Sequence, residues 1–275
     1  MPRIAHLTDC HITAPERRLC GLHTPTRLRQ ALAGVERAGP GFCDSVVITG
    51  DLTHRGEPDA YEEFRRCLEA TTLPVHLCIG NHDDRDVFRQ AYAHEPRYLA
   101  GDHVQYVVDC ADGWRLVFLD TNIPGAAGGL LCDTRLDWLD HSLAAAPEAP
   151  TLVFLHHPPF DSHIPPLDAI GLDGVDGLAR IIERHPQVVS LHAGHGHRTM
   201  HGLLGRVPVV VAAATCHHMA LDFHEPGFVV TYEPPSFQLI IAEAGTVLCH
   251  TVHFADAHGP RLDYAAMRDD YDTAR

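Results

Sequence analysis

Five short segments of this 275-residue chain concentrate side chains that bind metals or move protons: Asp9-Cys10-His11, Gly50-Asp51, Gly80-Asn81-His82-Asp83, His156-His157-Pro158-Pro159 and Gly194-His195-Gly196-His197. Imidazole nitrogens, carboxylate oxygens and an amide oxygen, with no Cys-x-x-Cys pair, suit Zn, Fe, Mn or Co better than a soft structural thiolate site does. Asp9 with His11, and His195 with His197, stand at i and i+2, which in extended backbone puts both side chains of a pair on one face. Asp9, His11, Asp51, Asn81, His156, His195 and His197 are more ligands than one tetrahedral ion can take. Two ions sharing a carboxylate use them all, and ions about 3.5–4 Å apart clamp an in-line phosphoryl displacement.

The elements that must position these residues are legible as short apolar runs. Each segment follows one: Ile4 to Leu7, Val46 to Ile48, Val75 to Ile79, Leu152 to Leu155 and Val188 to Leu191. Loops at the carboxyl ends of strands line the crevice of an open α/β sheet, so five such ends are expected to converge. A sixth run, Leu116 to Leu119, leads into Asp120-Thr121-Asn122, which matches no ligand position and reads as structural. Helices are expected from Thr24, as N-cap before Pro25, to about Arg37, and from Pro58 to about Ala70. Others are expected near 84–93, 133–145 and 175–185. From about Val207 only strands are expected, at Val207 to Ala212, Phe228 to Tyr232, Phe237 to Ile241 and Thr246 to Phe254, as a more antiparallel sheet that packs on or extends the first. The chain reads as one domain over 1–275, with a core to about residue 215. A strand-rich segment over 216–275 is left for oligomerisation or pocket capping, and the tail after His258 is polar and acidic.

Composition removes several function classes. All 21 basic residues are arginine, which excludes a Schiff-base, pyridoxal or phosphate-loop lysine. A net charge of −15 argues against a nucleic-acid polymer as partner. No apolar run approaches the roughly 20 residues a membrane helix needs. The 23 histidines outnumber Phe, Tyr and Trp together, so some are expected to be ligands or acid/base groups. Nine cysteines, an odd number, and a start (MPRIAHLTD) that reads as a strand point to a reduced, cytoplasmic setting.

The ordered series Asp9-x-His11, Gly50-Asp51, Gly80-Asn81-His82-Asp83, His156 and Gly194-His195-x-His197 resembles the signature of the calcineurin-like metallophosphoesterases. Gly50-Asp51-Leu52 followed by Gly56-Glu57-Pro58-x-Ala60-Tyr61, with His156-His157-Pro158-Pro159, is similar to the class III cyclic-nucleotide phosphodiesterase branch and the bacterial glycerophosphodiesterases. The resemblance implies an α-β-β-α sandwich of two mixed sheets flanked by helices. It further implies two divalent ions, Fe, Mn, Zn or Co, with Asp9, His11 and His197 on one, Asn81, His156 and His195 on the other, and Asp51 bridging. A metal-bound hydroxide would attack phosphorus in line, and His82 would protonate the leaving oxygen or stabilise its charge. His217 resembles a substrate-pocket histidine, and a homo-oligomer formed through the C-terminal strands is implied. Two dications, two carboxylates and one hydroxide leave about +1, which matches a phosphodiester monoanion. The implied substrates are glycerophosphodiesters, cyclic nucleotides or phosphonate monoesters. A phosphomonoesterase of the same superfamily is the alternative, followed by a non-catalytic scaffold or a metal buffer.

Singly, these residues carry plainer readings. Asp9 and His11 suit a turn, Asp51 a helix cap, Asn81 a left-handed turn and His82 a hydrogen-bond partner. His157 reads as packing behind His156, Cys10 as a small buried residue facing away from the ligands, and Arg55 as a solvated or ion-paired surface residue. The alternative for His217 is a partner that orients another ligand.

Overall fold

A computed structural model describes residues 1–224, 227–243 and 246–254; the tail after His258 lies outside them. Along the chain, β1 (Arg3–Leu7), α1 (Thr24–Arg37), β2 (Ser45–Thr49), α2 (Pro58–Leu68), β3 (Val75–Cys78) and α3 (Arg85–Ala91) alternate. After a 3-10 turn at Pro96–Tyr98 come β4 (Tyr106–Asp109), β5 (Arg115–Phe118), β6 (Gly129–Leu130), α4 (Asp133–Ala144), β7 (Thr151–Phe154), α5 (Pro165–Asp168), β8 (Leu172–Asp173), α6 (Val175–Arg184) and β9 (Val188–Ala193). The remainder is strand: β10 (Met200–Leu204), β11 (Val207–Val211), β12 (His218–Met219), β13 (Val230–Thr231), β14 (Ser236–Glu243) and β15 (Thr246–His253).

Two mixed sheets result, ordered β15-β14-β1-β2-β3 and β10-β11-β9-β7-β5-β4, with two short pairs, β12-β13 and β6-β8. Parallel strands occupy the interior of the second sheet, and its outer strands β4 and β10 pair antiparallel. Side-chain alternation builds the layers. Leu116 and Phe118 of β5, with Leu152 and Phe154 of β7, join the core shared with the first sheet, whereas Val117 and Val153 face the core under α4 and α6. Phe118, Phe154 and His192 stack in sequence at centroid spacings of 5.2 Å, and His6 of the first sheet meets His192 edge-on at 5.9 Å. In α1, Leu28, Ala31, Leu32 and Val35 recur at helical spacing and all are buried against the first sheet. No helix of the described residues is long and apolar enough to cross a membrane.

Three local expectations change or sharpen. The α1 cap is His23, whose ring accepts from the Thr26 N–H, because the Thr24 hydroxyl instead accepts from the Thr13 N–H. The expected antiparallel extension of the first sheet is made by β14 and β15, whereas β12 and β13 pair only with each other. β11 joins the second sheet through β9, while β14 inserts beside β1 and carries β15 to the edge of the first. The strand expected over 228–232 shrinks to the two residues of β13, and Pro234-Pro235, which cannot donate to a ladder, follow it.

Candidate metal centre

All five ligand-bearing segments leave the carboxyl ends of β1, β2, β3, β7 and β9 and meet at one end of the seam between the sheets. The backbone there is not extended. Asp9, His11, Asp51, His195 and His197 have φ of 50°, 43°, 48°, 65° and 49°, five of the seven non-glycine residues in the left-handed region among those described. The i, i+2 argument therefore reaches the right pairs by the wrong geometry. Alternate residues turn left-handed, which re-aims both side chains inward at a cost of order 1–3 kcal/mol each. Two glycines make the approach possible: a Cβ on Gly80 would collide with Asp51 and His156, and one on Gly194 with Thr8 and Asp9.

Each buried side chain uses one atom for support and leaves another for the centre. Asp9 Oδ2 accepts from the Thr8 hydroxyl (2.8 Å) and the His195 N–H (2.9 Å), while its Oδ1 is buried with no hydrogen-bond partner among the described residues. His197 donates through Nδ1 to the His217 carbonyl (2.9 Å), leaving Nε2 3.1 Å from His11 Nε2 and 3.4 Å from Asp9 Oδ1. His156 donates through Nδ1 to the Thr49 carbonyl (2.7 Å) and aims Nε2 at Asn81 Oδ1, 3.1 Å away. His195 donates through Nε2 to the Ile170 carbonyl (3.1 Å), which frees Nδ1. Asp51 spans both groups, with Oδ2 3.2 Å from His11 Nε2 and Oδ1 3.4 Å from His156 Nε2.

This donor set fits divalent cations. The ligand atoms of Asp9, His11, Asp51 and His197 lie within 4.8 Å of one another in a fully buried cluster, and those of His156, His157 and His195 form a second. Two imidazoles pressed within hydrogen-bond distance of each other and an unpartnered buried carboxylate oxygen call for positive charge. Protons supply part of it. Burial opposes a charge on His156, but the Asp51 carboxylate outweighs burial and raises its pKa to about 9. His197 is raised in the same way by Asp9. Burial opposes ionisation of Asp9 and Asp51 too, yet His197 and His156 hold both carboxyls below their usual range. Burial keeps His11 well below its ordinary value and lowers His195 to about 3.

His82 borders this cluster from a groove of about 500 Å³ lined also by His54, Arg55, Asn81, Arg85 and Asn122. Its N–H donates to Asp51 Oδ1 (2.9 Å) and its Nδ1 to the His54 carbonyl (2.8 Å), so Nε2 is left for a ligand in the groove. His217 is buried with its ring 4.6 Å from that of His197, and its carbonyl orients His197. The reading of His217 as a partner that orients His197 thus has a geometric basis. His157 has Nδ1 against the Thr121 hydroxyl (2.8 Å) and Nε2 donating to the Ala127 carbonyl (3.1 Å), which leaves no nitrogen for a metal. Cys10 lies in the apolar core, and Arg55 is exposed on the groove's rim.

Two residues escape a motif reading. His54 sets its Nδ1 3.3 Å from His11 Nδ1 and stacks on His82 at 5.2 Å. Asp83 accepts from the N–H groups of Leu52, Thr53 and Gly80, from the Thr53 hydroxyl and from Tyr61, locking the Asp51 loop to the Asn81 turn. Its place in Gly-Asn-His-Asp was the available signal.

A family model described as calcineurin-like phosphoesterase matches residues 2–199. A protein of Rhodopseudomonas palustris named probable cyclic nucleotide phosphodiesterase is 36% identical over 255 residues, covering 90% of this chain and 91% of its own length. The glycerophosphodiester phosphodiesterase GpdQ of Enterobacter lignolyticus is 28% identical over 235 residues, covering 85% and 84%. Among solved structures, a dimetal phosphatase from Danio rerio superposes with a TM-score of 0.69 over 93% of this chain and 98% of its own, at 16% identity, a likeness of fold.

Proposed function

The chain belongs to the calcineurin-like phosphoesterase family, and on that premise we propose that it is a dinuclear metal-dependent phosphodiesterase acting on small diesters such as glycerophosphodiesters, cyclic nucleotides or phosphonate monoesters. The observation that carries this reading is Asp51, which turns one carboxylate oxygen toward His11 and the other toward His156. Asp9, His11 and His197 would hold one divalent ion and Asn81, His156 and His195 the other, with Fe, Mn, Zn or Co as candidates. When bound, the ions supply the positive charge that neutralises the phosphoryl oxygens and acidifies an attacking water.

The chain's own groups do the rest. Thr49, Ile170 and His217 carbonyls fix the tautomers of His156, His195 and His197, so each presents a lone pair to the centre. His82, its Nδ1 held by the His54 carbonyl, has Nε2 available to give a proton or hydrogen bond to the departing oxygen. No lysine exists to hold phosphate, and Arg55 at the rim is the exposed cation of that groove. His217 would touch the substrate, as the resemblance implies. A reducing, cytoplasmic setting and the homo-oligomer implied by the resemblance belong to this proposal as well.

The test compares bis-aryl phosphate with the aryl monoester on metal-loaded protein, alongside Asp51→Ala and His195→Ala. The diester is expected to turn over faster, with activity lost in both variants. Monoester turnover exceeding diester turnover would place the chain with the phosphomonoesterases, and no turnover of any diester would overturn the reading.

A further inference from the structure

We propose that Asn122, in the loop that follows β5, is a positioning residue that registers Asn81 against the histidines of the second sheet and so sets the affinity of the ion position formed by Asn81, His156 and His195. The inference rests on the two-ion reading above. Besides the shared Asp51, Asn81 is the candidate ligand of that position delivered by the first sheet, after β3; His156 and His195 follow β7 and β9 of the second. Some contact must therefore set the spacing between turn and sheet.

Asn122 makes that contact. Its Nδ2 donates to the Gly80 carbonyl (2.6 Å) and the Asp83 carbonyl (3.1 Å), the two groups that bracket Asn81 and His82. Its own backbone is held from behind. The Asn122 N–H donates to Asp120 Oδ1 (2.9 Å), and its carbonyl accepts from Arg85 (2.9 Å) and Arg135 (2.8 Å). Asp120, fully buried, pairs with Arg85 through two hydrogen bonds of 2.8 and 3.1 Å and accepts from the Val104 N–H. The clamp is thus braced by two arginines before it grips the turn.

Asn122 is 1% exposed, and its Oδ1 is buried with no partner among the described residues. Leaving a buried acceptor unsatisfied is unfavourable, so the amide is oriented by what its N–H groups reach. Asp83 anchors the same turn on the other side, to Leu52 and Thr53 beside Asp51. The two anchors have separate effects. Asp83 joins the turn to the first sheet, and Asn122 joins it to the second.

The experiment titrates metal-free wild type, Asn122→Asp and Asn122→Ser with Mn(II) by calorimetry, with elemental analysis of the dialysed proteins. Asp keeps the shape but faces two carbonyls with an acceptor; Ser removes the reach. Wild type is expected to bind two ions. In the variants one binding constant should fall about 10–100-fold, the range for loss of a group supporting a metal ligand, while the other keeps its wild-type value. Should Asn122→Asp fail to fold, Asn122→Ser decides alone. Two undiminished constants, or two equally diminished ones, would overturn the role of Asn122 while leaving the two-ion site intact. A wild type that binds fewer than two ions would overturn both readings.

Discussion

At the scale of single residues, the proposed function separates groups that would hold the ions from His82, which would move a proton. His82 is tied through Nδ1 and its backbone, and neither tie is a ligand bond. His82→Ala is expected to lower diester kcat by about 10²–10⁴-fold while metal content by elemental analysis stays at the wild-type value. Loss of metal would instead make it a ligand. Asp51 raises the pKa of His156 and Asp9 that of His197, so an ion bound there would displace protons and its affinity would rise with pH. Much of this set was legible in advance, because each candidate ligand abuts a short apolar run and its type announces its chemistry. Asn122 was not, since its part depends on two carbonyls some forty residues away in the chain, contacts that local spacing does not encode.

The strand ends and turns show where sequence reading stopped short. Buried parallel strands advertise themselves as continuous apolar runs, so β2 and β7 were plain. Backbone hand at a strand end is decided by what the side chain must reach, and the left-handed conformations of Asp9, His11, His195 and His197 follow from the site. That C-terminal strands would extend the first sheet was expected, but which strand they adjoin was hidden, because the partner of β14 lies far from it in the chain. Gly80 tests the packing of these turns. Gly80→Ala would drive its methyl into Asp51 and His156. It is expected to destabilise the fold by about 1–3 kcal/mol, the usual cost of overpacking, and to release metal on dialysis. Urea denaturation with elemental analysis measures both, and a variant of wild-type stability would show that the loop yields.

Across the whole molecule, buried histidines make stability of the metal-free protein depend on pH in two opposed ways. His6 and His195 are lowered by burial to about 3, and His76 and His217 to about 4. Below their ordinary value of 6.5 the unfolded chain takes up protons that these sites refuse, so stability falls as pH drops. His156, raised to about 9, contributes stability that is present below 6.5 and lost as pH climbs through 9. The metal-free protein is therefore expected to be most stable near pH 6.5, with urea midpoints falling on both sides, and bound ions are expected to flatten the alkaline limb. A midpoint that does not fall above pH 6.5 would contradict the proton-holding role of His156. The pairing of β14 with β1 has a consequence in time. Asp9 follows a strand, Arg3–Leu7, whose neighbour spans Ser236–Glu243. A growing chain carries every candidate ligand before it carries the strand that flanks the first of them. On the proposed function, an ion held at Asp9 would then report that β14 has found β1.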